Sequence, residues 1–91
     1  MKNYSISYDL HSPHQDYSSL INKIKTAPYW AKVNDSAWFI KSPLTTMQIV
    51  NQLEQEIDHN DVVFVAEMSS CGWSKSLDQD VQSFIFNNWN A

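Results

Sequence analysis

The sequence contains no arginine, so its six basic residues are all lysines. Ten Asp and Glu residues outnumber them and give a formal net charge of −4 at pH 7. Proteins that bind nucleic acid usually rely on guanidinium groups for much of their phosphate and base contact. The charge balance therefore disfavours RNA or DNA as a partner and favours a basic protein surface.

Long hydrophobic runs and paired cysteines are absent as well. No apolar stretch approaches the roughly 20 residues that a membrane-spanning helix needs, and the first ten residues lack the apolar core of a secretory signal. Cys71 is the only cysteine, which excludes an internal disulfide and agrees with a reducing compartment. We therefore expect a cytoplasmic protein that makes no membrane contact.

The composition predicts one globular domain over residues 1–91. The chain is 43% hydrophobic and 18% charged, near the averages of globular proteins. The core of this domain is expected over about residues 3–68, followed by a C-terminal appendage over about 77–90.

The first half of the chain predicts a strand, a helix and a hairpin. Apolar and polar residues alternate over 4–9, as in a strand with one buried face. Helical spacing of Leu20, Ile21 and Ile24 predicts a helix from Asp16 to about Thr26. Segments 27–33 and 36–42 are aromatic and β-branched, and the Asn-Asp-Ser turn between them predicts a hairpin.

The second half predicts a helix, a strand and a final helix. Thr45 and Gln48 have the spacing of a capping box, which predicts a helix that ends near residues 58–61. The apolar run 61–68 predicts the fourth strand. Helical spacing continues from Leu77 to Trp89, although the Ser-Phe-Ile-Phe segment is also compatible with a short strand.

This order of elements predicts an α+β protein with the ferredoxin-like βαββαβ fold, a four-stranded antiparallel sheet and a C-terminal helix or strand. Both helices of that fold cover one face of the sheet. The other face then needs a cover, which is either the C-terminal segment or a second subunit.

Asp9 is the first candidate site residue, because it ends the first strand. A carboxylate in this position could bind Mg²⁺, which prefers oxygen ligands, and a twofold axis could supply a second copy of it. Alternatively, Asp9 accepts hydrogen bonds from the N–H groups of the following turn.

The loop after Asp9 and the end of the third strand hold weaker candidates. His11 and His14, with nearby carboxylates, could ligate a metal or shuttle protons, but surface loop histidines explain the pattern more simply. Lys41 and Ser42 could contact nucleic acid or another phosphate, or could be ordinary strand-end residues.

The segments 4–10, 35–42 and 61–68, in this order and with helices between them, resemble the CRISPR-associated protein 2 family over roughly residues 3–68. The virulence-associated protein D toxins are distantly similar. The resemblance implies a ferredoxin-like homodimer that acts as a Mg²⁺-dependent endonuclease or as a nucleic-acid-associated scaffold. It also implies that two copies of Asp9 share one ion at the dimer axis.

Two classes of function therefore stay open. One is a protein similar to CRISPR-associated protein 2, with Asp9 as the metal ligand. The other is a non-catalytic acidic module, such as an immunity protein, an antitoxin or a phage-encoded inhibitor, that masks a basic protein surface. The second class needs no ligand at Asp9.

Overall fold

A computed structural model describes residues 1–11 and 16–91. Within them the chain forms four strands and three helices in the order βαββαβα. Their bounds are β1 Lys2–Asp9, α1 Ser18–Ile24, β2 Tyr29–Asn34, β3 Ala37–Ser42, α2 Thr46–Glu54, β4 Val62–Glu67 and α3 Gln79–Asn88. The C-terminal segment is thus a helix, which resolves the choice that the sequence left open.

The strands form one antiparallel sheet in the order β2-β3-β1-β4. Because β3 is antiparallel to both β1 and β2, those two strands are parallel to each other, and α1 connects them. In the same way α2 connects the parallel strands β3 and β4, which flank β1. The protein is therefore an α+β fold in which each of the first two helices crosses over one intervening strand.

Helices α1 and α2 cover one face of the sheet, called here the helix face. The main core lies between them and the sheet, where alternate residues of the strands point inward. Its buried members are Tyr4, Ile6, Leu20, Ile24, Trp38, Ile40, Ile49, Leu53 and Val65. The predicted capping box starts α2, with Thr45 Oγ1 accepting from Gln48 N–H and Gln48 Oε1 accepting from Thr45 N–H.

Helix α3 packs on the opposite face, called here the α3 face. Ile85 contacts the buried side chains of Ala31 in β2 and Phe39 in β3, and Phe39 also stacks on Trp89 at a ring distance of 6.2 Å. This second core lies over the β2–β3 half of the sheet. At the β4 half, Val62 and Phe64 remain 53% and 62% exposed.

Most predicted elements are present, with shorter helices than predicted. α1 begins at Ser18 rather than Asp16, and α2 ends at Glu54, several residues before the predicted end. None of the helices in the described part of the chain is long and apolar enough to cross a membrane.

Candidate functional site

Asp9 lies at the end of β1, as predicted, with its side chain 73% exposed. The imidazole of His11 lies beside it, with Nε2 3.1 Å from Asp9 Oδ2. By strand alternation Asp9 belongs to the α3 face, opposite Val62 of β4 and outside the area that α3 covers. It therefore offers one carboxylate and one imidazole to solvent.

This pair alone does not suit Mg²⁺, which takes an octahedral set of oxygen ligands. Throughout residues 1–11 and 16–91, no three side chains of His, Cys, Asp or Glu come together as a metal site. His14, the second predicted histidine, lies outside the described residues. A magnesium site at Asp9 would therefore need further oxygen ligands, such as a second copy of Asp9.

Lys41 is buried, with 1% of its surface exposed, although the sequence prediction placed it at a phosphate. Its Nζ donates a hydrogen bond of 2.6 Å to the carbonyl oxygen of Trp89, which directly follows α3. Asn3, the cross-strand neighbour of Lys41, donates to the same oxygen at 3.1 Å. The ammonium thus satisfies a carbonyl at the negative end of the helix and holds α3 on the sheet.

Ser42 is also buried, at 3% exposure, and its hydroxyl oxygen accepts a hydrogen bond from Leu44 N–H at 3.1 Å. It shapes the turn that leads into α2. In this conformation neither Ser42 nor Lys41 is open to a phosphate, so contact with one stays a prediction, and for Lys41 it would require α3 to move.

Asp61 is a structural residue that the sequence reasoning missed. It is 8% exposed and precedes β4, where its oxygens accept from His11 N–H at 2.7 Å and Asp58 N–H at 2.9 Å. The Tyr17 hydroxyl donates to it at 2.9 Å. Asp61 therefore joins the segments that flank β1, α1 and β4.

The charge of Asp61 is maintained by these donors. Burial raises its pKa, but the hydrogen bonds from the backbone N–H groups of His11 and Asp58 and from the Tyr17 hydroxyl outweigh burial. The pKa of Asp61 consequently lies below its usual range, and the carboxylate is ionised at neutral pH. In the sequence, a carboxylate just before a strand resembles an ordinary turn residue. Only the hydrogen bonds from donors far along the chain distinguish Asp61 from such a residue.

One end of the molecule collects most of the acidic residues. At this end β1 and α2 finish, and α1 and β4 begin. The β2–β3 turn lies there as well, and we call this end the acidic end. Seven of the ten carboxylates belong to it: Asp9, Asp16, Asp35, Glu54, Glu56, Asp58 and Asp61. The lysines of β1, α1 and β3 lie at or near the opposite end: Lys2, Lys23, Lys25 and Lys41.

Two local interactions modify the acidic end. A hydrogen bond of 2.9 Å from Ser18 N–H lowers the pKa of Asp16, which favours its charged form before α1. Lys32 Nζ approaches Asp35 Oδ1 at 3.8 Å, with Asp35 fully exposed. Such an exposed pair is worth little, so the end keeps its negative character.

A groove beside α3 encloses about 420 Å³. Side chains of the β4–α3 loop and of α3 line it: Cys71, Trp73, Ile85, Phe86 and Trp89 among them. Partial burial raises the pKa of the Cys71 thiol, which keeps it protonated and unreactive at neutral pH. The groove is apolar and distant from the acidic end along α3.

Comparisons with protein-family models, curated proteins and solved structures found no match. The function is therefore inferred from the geometry and charge of this chain.

Proposed function

We propose that the chain is a non-catalytic binding module of ferredoxin-like fold, which binds a basic protein surface through its acidic end. The observation that carries this proposal is the separation of charge along the sheet, with seven carboxylates at one end and four lysines toward the other. A concentrated field of one sign accelerates encounter with an oppositely charged partner and orients it.

The order of elements supports the ferredoxin-like part of the proposal. The two β-α-β units each enclose a strand of the other unit, which agrees with the split arrangement expected of this fold. The third helix is an addition to that core.

The exposure of the carboxylates supports the binding role. Asp9, Asp35 and Glu54 come from three separate elements and are all exposed at the same end. A rigid sheet and a capped helix hold their backbones, so little conformational freedom of the main chain would be lost on binding. A basic surface could contact all of them without rearrangement of the fold.

Charge reversal at matched positions tests this role. The double variant Asp35→Lys with Glu54→Lys changes the acidic end, and Glu67→Lys with Asp80→Lys makes the same charge change elsewhere. Each brings the formal net charge from −4 to 0, since each substitution adds two charges. The probes are a polylysine of defined length and a mixed-sequence single-stranded oligonucleotide.

We expect the wild type to bind polylysine with a strong salt dependence and not to retain the oligonucleotide. The acidic-end variant should weaken polylysine binding by about tenfold or more, and the control by clearly less. Equal losses in both variants would show that net charge alone acts, and would contradict a defined binding end. Retention of the oligonucleotide at moderate salt would favour the nucleic-acid alternative.

The second candidate is a homodimer similar to CRISPR-associated protein 2, with Mg²⁺-dependent endonuclease activity on RNA or DNA. The exposed Asp9 at the end of β1, with His11 beside it, favours this candidate. Purified protein with Mg²⁺ should then cleave an oligonucleotide, and Asp9→Asn should abolish cleavage while Asp35→Asn retains it. Cleavage that persists in Asp9→Asn would reject Asp9 as the metal ligand.

A further inference from the structure

The outer edge of β4 is unpaired within the described residues. β4 is the last strand of the sheet, and its only strand partner is β1. Met68 N–H donates to Asn3 C=O at 2.8 Å, which makes Asn3 and Met68 a hydrogen-bonded antiparallel pair. Because such pairs alternate along the ladder, the N–H and C=O groups of Val62, Phe64 and Ala66 face β1. Those of Val63, Val65 and Glu67 face outward.

This edge lacks the features that usually prevent strands from pairing with other chains. Natural edge strands carry lysine, proline, a bulge or a covering segment. The strand Val62–Glu67 contains no lysine and no proline, and it pairs with β1 in an unbroken register. Its only charged residue is the last one, Glu67. The second core under α3 lies over β2 and β3, so Phe64 is left 62% exposed.

We propose that a second copy of this chain pairs with β4 in antiparallel orientation, with a twofold axis at Val65. The two sheets then form one continuous sheet of eight strands. An identical strand suits this edge because, in antiparallel orientation, it presents the same outward N–H and C=O groups in reverse order. The twofold axis then repeats each hydrogen bond between the two copies.

The positions of the charged residues select this register. With the axis at Val65, Val63 pairs with the partner subunit's Glu67, and about six backbone hydrogen bonds form. On the α3 face Phe64 lies opposite the partner subunit's Ala66, a large side chain against a small one. An axis at Phe64 would form only about four bonds and would place Glu67 opposite the partner subunit's Asp61, which like charges disfavour.

The proposed pairing is of moderate strength. A six-residue strand is about 20 Å long, so this contact falls at the small end of protein interfaces. We therefore expect monomers and dimers in an equilibrium that depends on concentration. The two Asp9 carboxylates would lie about 25 Å apart, given strand spacing and residue rise, so this dimer could not share one metal ion between them.

Light scattering of the full chain across a concentration series tests the proposal, with backbone variants of Val63. The mass should rise from one protomer to two. Val63→Pro removes an outward N–H without breaking the ladder to β1, so it should shift the equilibrium to monomers and leave the circular dichroism spectrum unchanged. Val63→Ala, which keeps the N–H, should still dimerise. A wild type that stays monomeric throughout, or a Val63→Pro variant that is folded and still dimeric, would overturn the proposal.

Cysteine crosslinking in a Cys71→Ser background fixes the register. Val65→Cys should form an intermolecular disulfide under mild oxidation, since facing α-carbons in such a pair are about 5.5 Å apart. Phe64→Cys should not, because in this register the two copies of residue 64 are about 8 Å apart. Crosslinking through residue 64 and not through residue 65 would contradict the axis at Val65.

Discussion

The two faces of the sheet are closed in different ways. On the helix face, α1 and α2 cover a continuous core that extends from β3 across β1 to β4. On the α3 face a single helix covers the β2–β3 half, around Phe39 and Ile85, and Phe64 of β4 stays exposed. The helix face is therefore closed mainly by hydrophobic packing around this larger core.

The α3 face depends in addition on polar contacts at the end of the helix. Lys41 and Asn3 both donate to Trp89 C=O, which lies just beyond α3. A helix held by a small core and one shared carbonyl should separate from the sheet at a lower free energy than the helices of the main core. The comparison predicts that the helix face determines global stability and the α3 face determines local opening.

The largest effect is expected in the main core. Leu53→Ala should lower the free energy of unfolding by about 3–5 kcal/mol, because Leu53 is 2% exposed and its removal leaves a cavity. Urea unfolding measures this change. Phe86→Ala, on the exposed surface of α3, is the control and should change it by less than about 1 kcal/mol. Equal losses would mean that Leu53 does not lie in a tightly packed core and would contradict the description of the helix face.

A smaller effect is expected from the contact that holds α3. Lys41→Met keeps the aliphatic length of the side chain but removes its charged donor to Trp89, which should cost about 1.5–3 kcal/mol. Amide hydrogen exchange should show faster exchange throughout α3 and little change in α1. Lys75→Met, at an exposed position, serves as the control. Unchanged protection of α3 would show that the Lys41 contact does not hold the helix.

The smallest effect should come from Asp61 and should depend on pH. Its pKa is lowered in the folded state, so the stability that it contributes is present above the unfolded pKa of about 3.9 and is lost as the pH falls through the folded value. Asp61→Asn keeps one acceptor oxygen and lacks this contribution. The urea midpoints of wild type and variant should therefore differ at neutral pH and converge in acid.

The control is Asp35→Asn, in the exposed β2–β3 turn, whose urea midpoint is measured at neutral and at acid pH in the same way. If the difference in urea midpoint between wild type and Asp61→Asn grew on acidification, it would contradict the role of the donors around Asp61.

Much of the fold could be predicted because it depends on local signals. The alternation of β1, the Asn-Asp-Ser turn and the Thr45–Gln48 capping box each specify an element from adjacent residues, and all are present. Trp38 and Ile40 of the aromatic and β-branched segment 36–42 are both buried. The helical spacing from Leu77 onward identified α3, although not the half of the sheet that it covers.

The environments of Lys41 and Asp61 could not be predicted, because each depends on partners far along the chain. Lys41 alternates with Ile40 and so points away from the main core, and the sequence does not show that α3 returns to cover it. The donors to Asp61 include His11, which lies 50 positions away. The burial of Lys41 beneath α3 could not be foreseen for the same reason, because burial on the α3 face is set by tertiary packing.

Residue-resolved hydrogen exchange along β4 in dilute and concentrated protein tests most directly whether the outer edge of this strand is open and pairs with a second copy. In dilute solution the account predicts slow exchange for the N–H groups of Phe64 and Ala66 and fast exchange for Val63, Val65 and Glu67. At high concentration the fast group should become protected. Uniform protection of β4 in dilute solution would show that the chain covers this edge itself and would contradict the account.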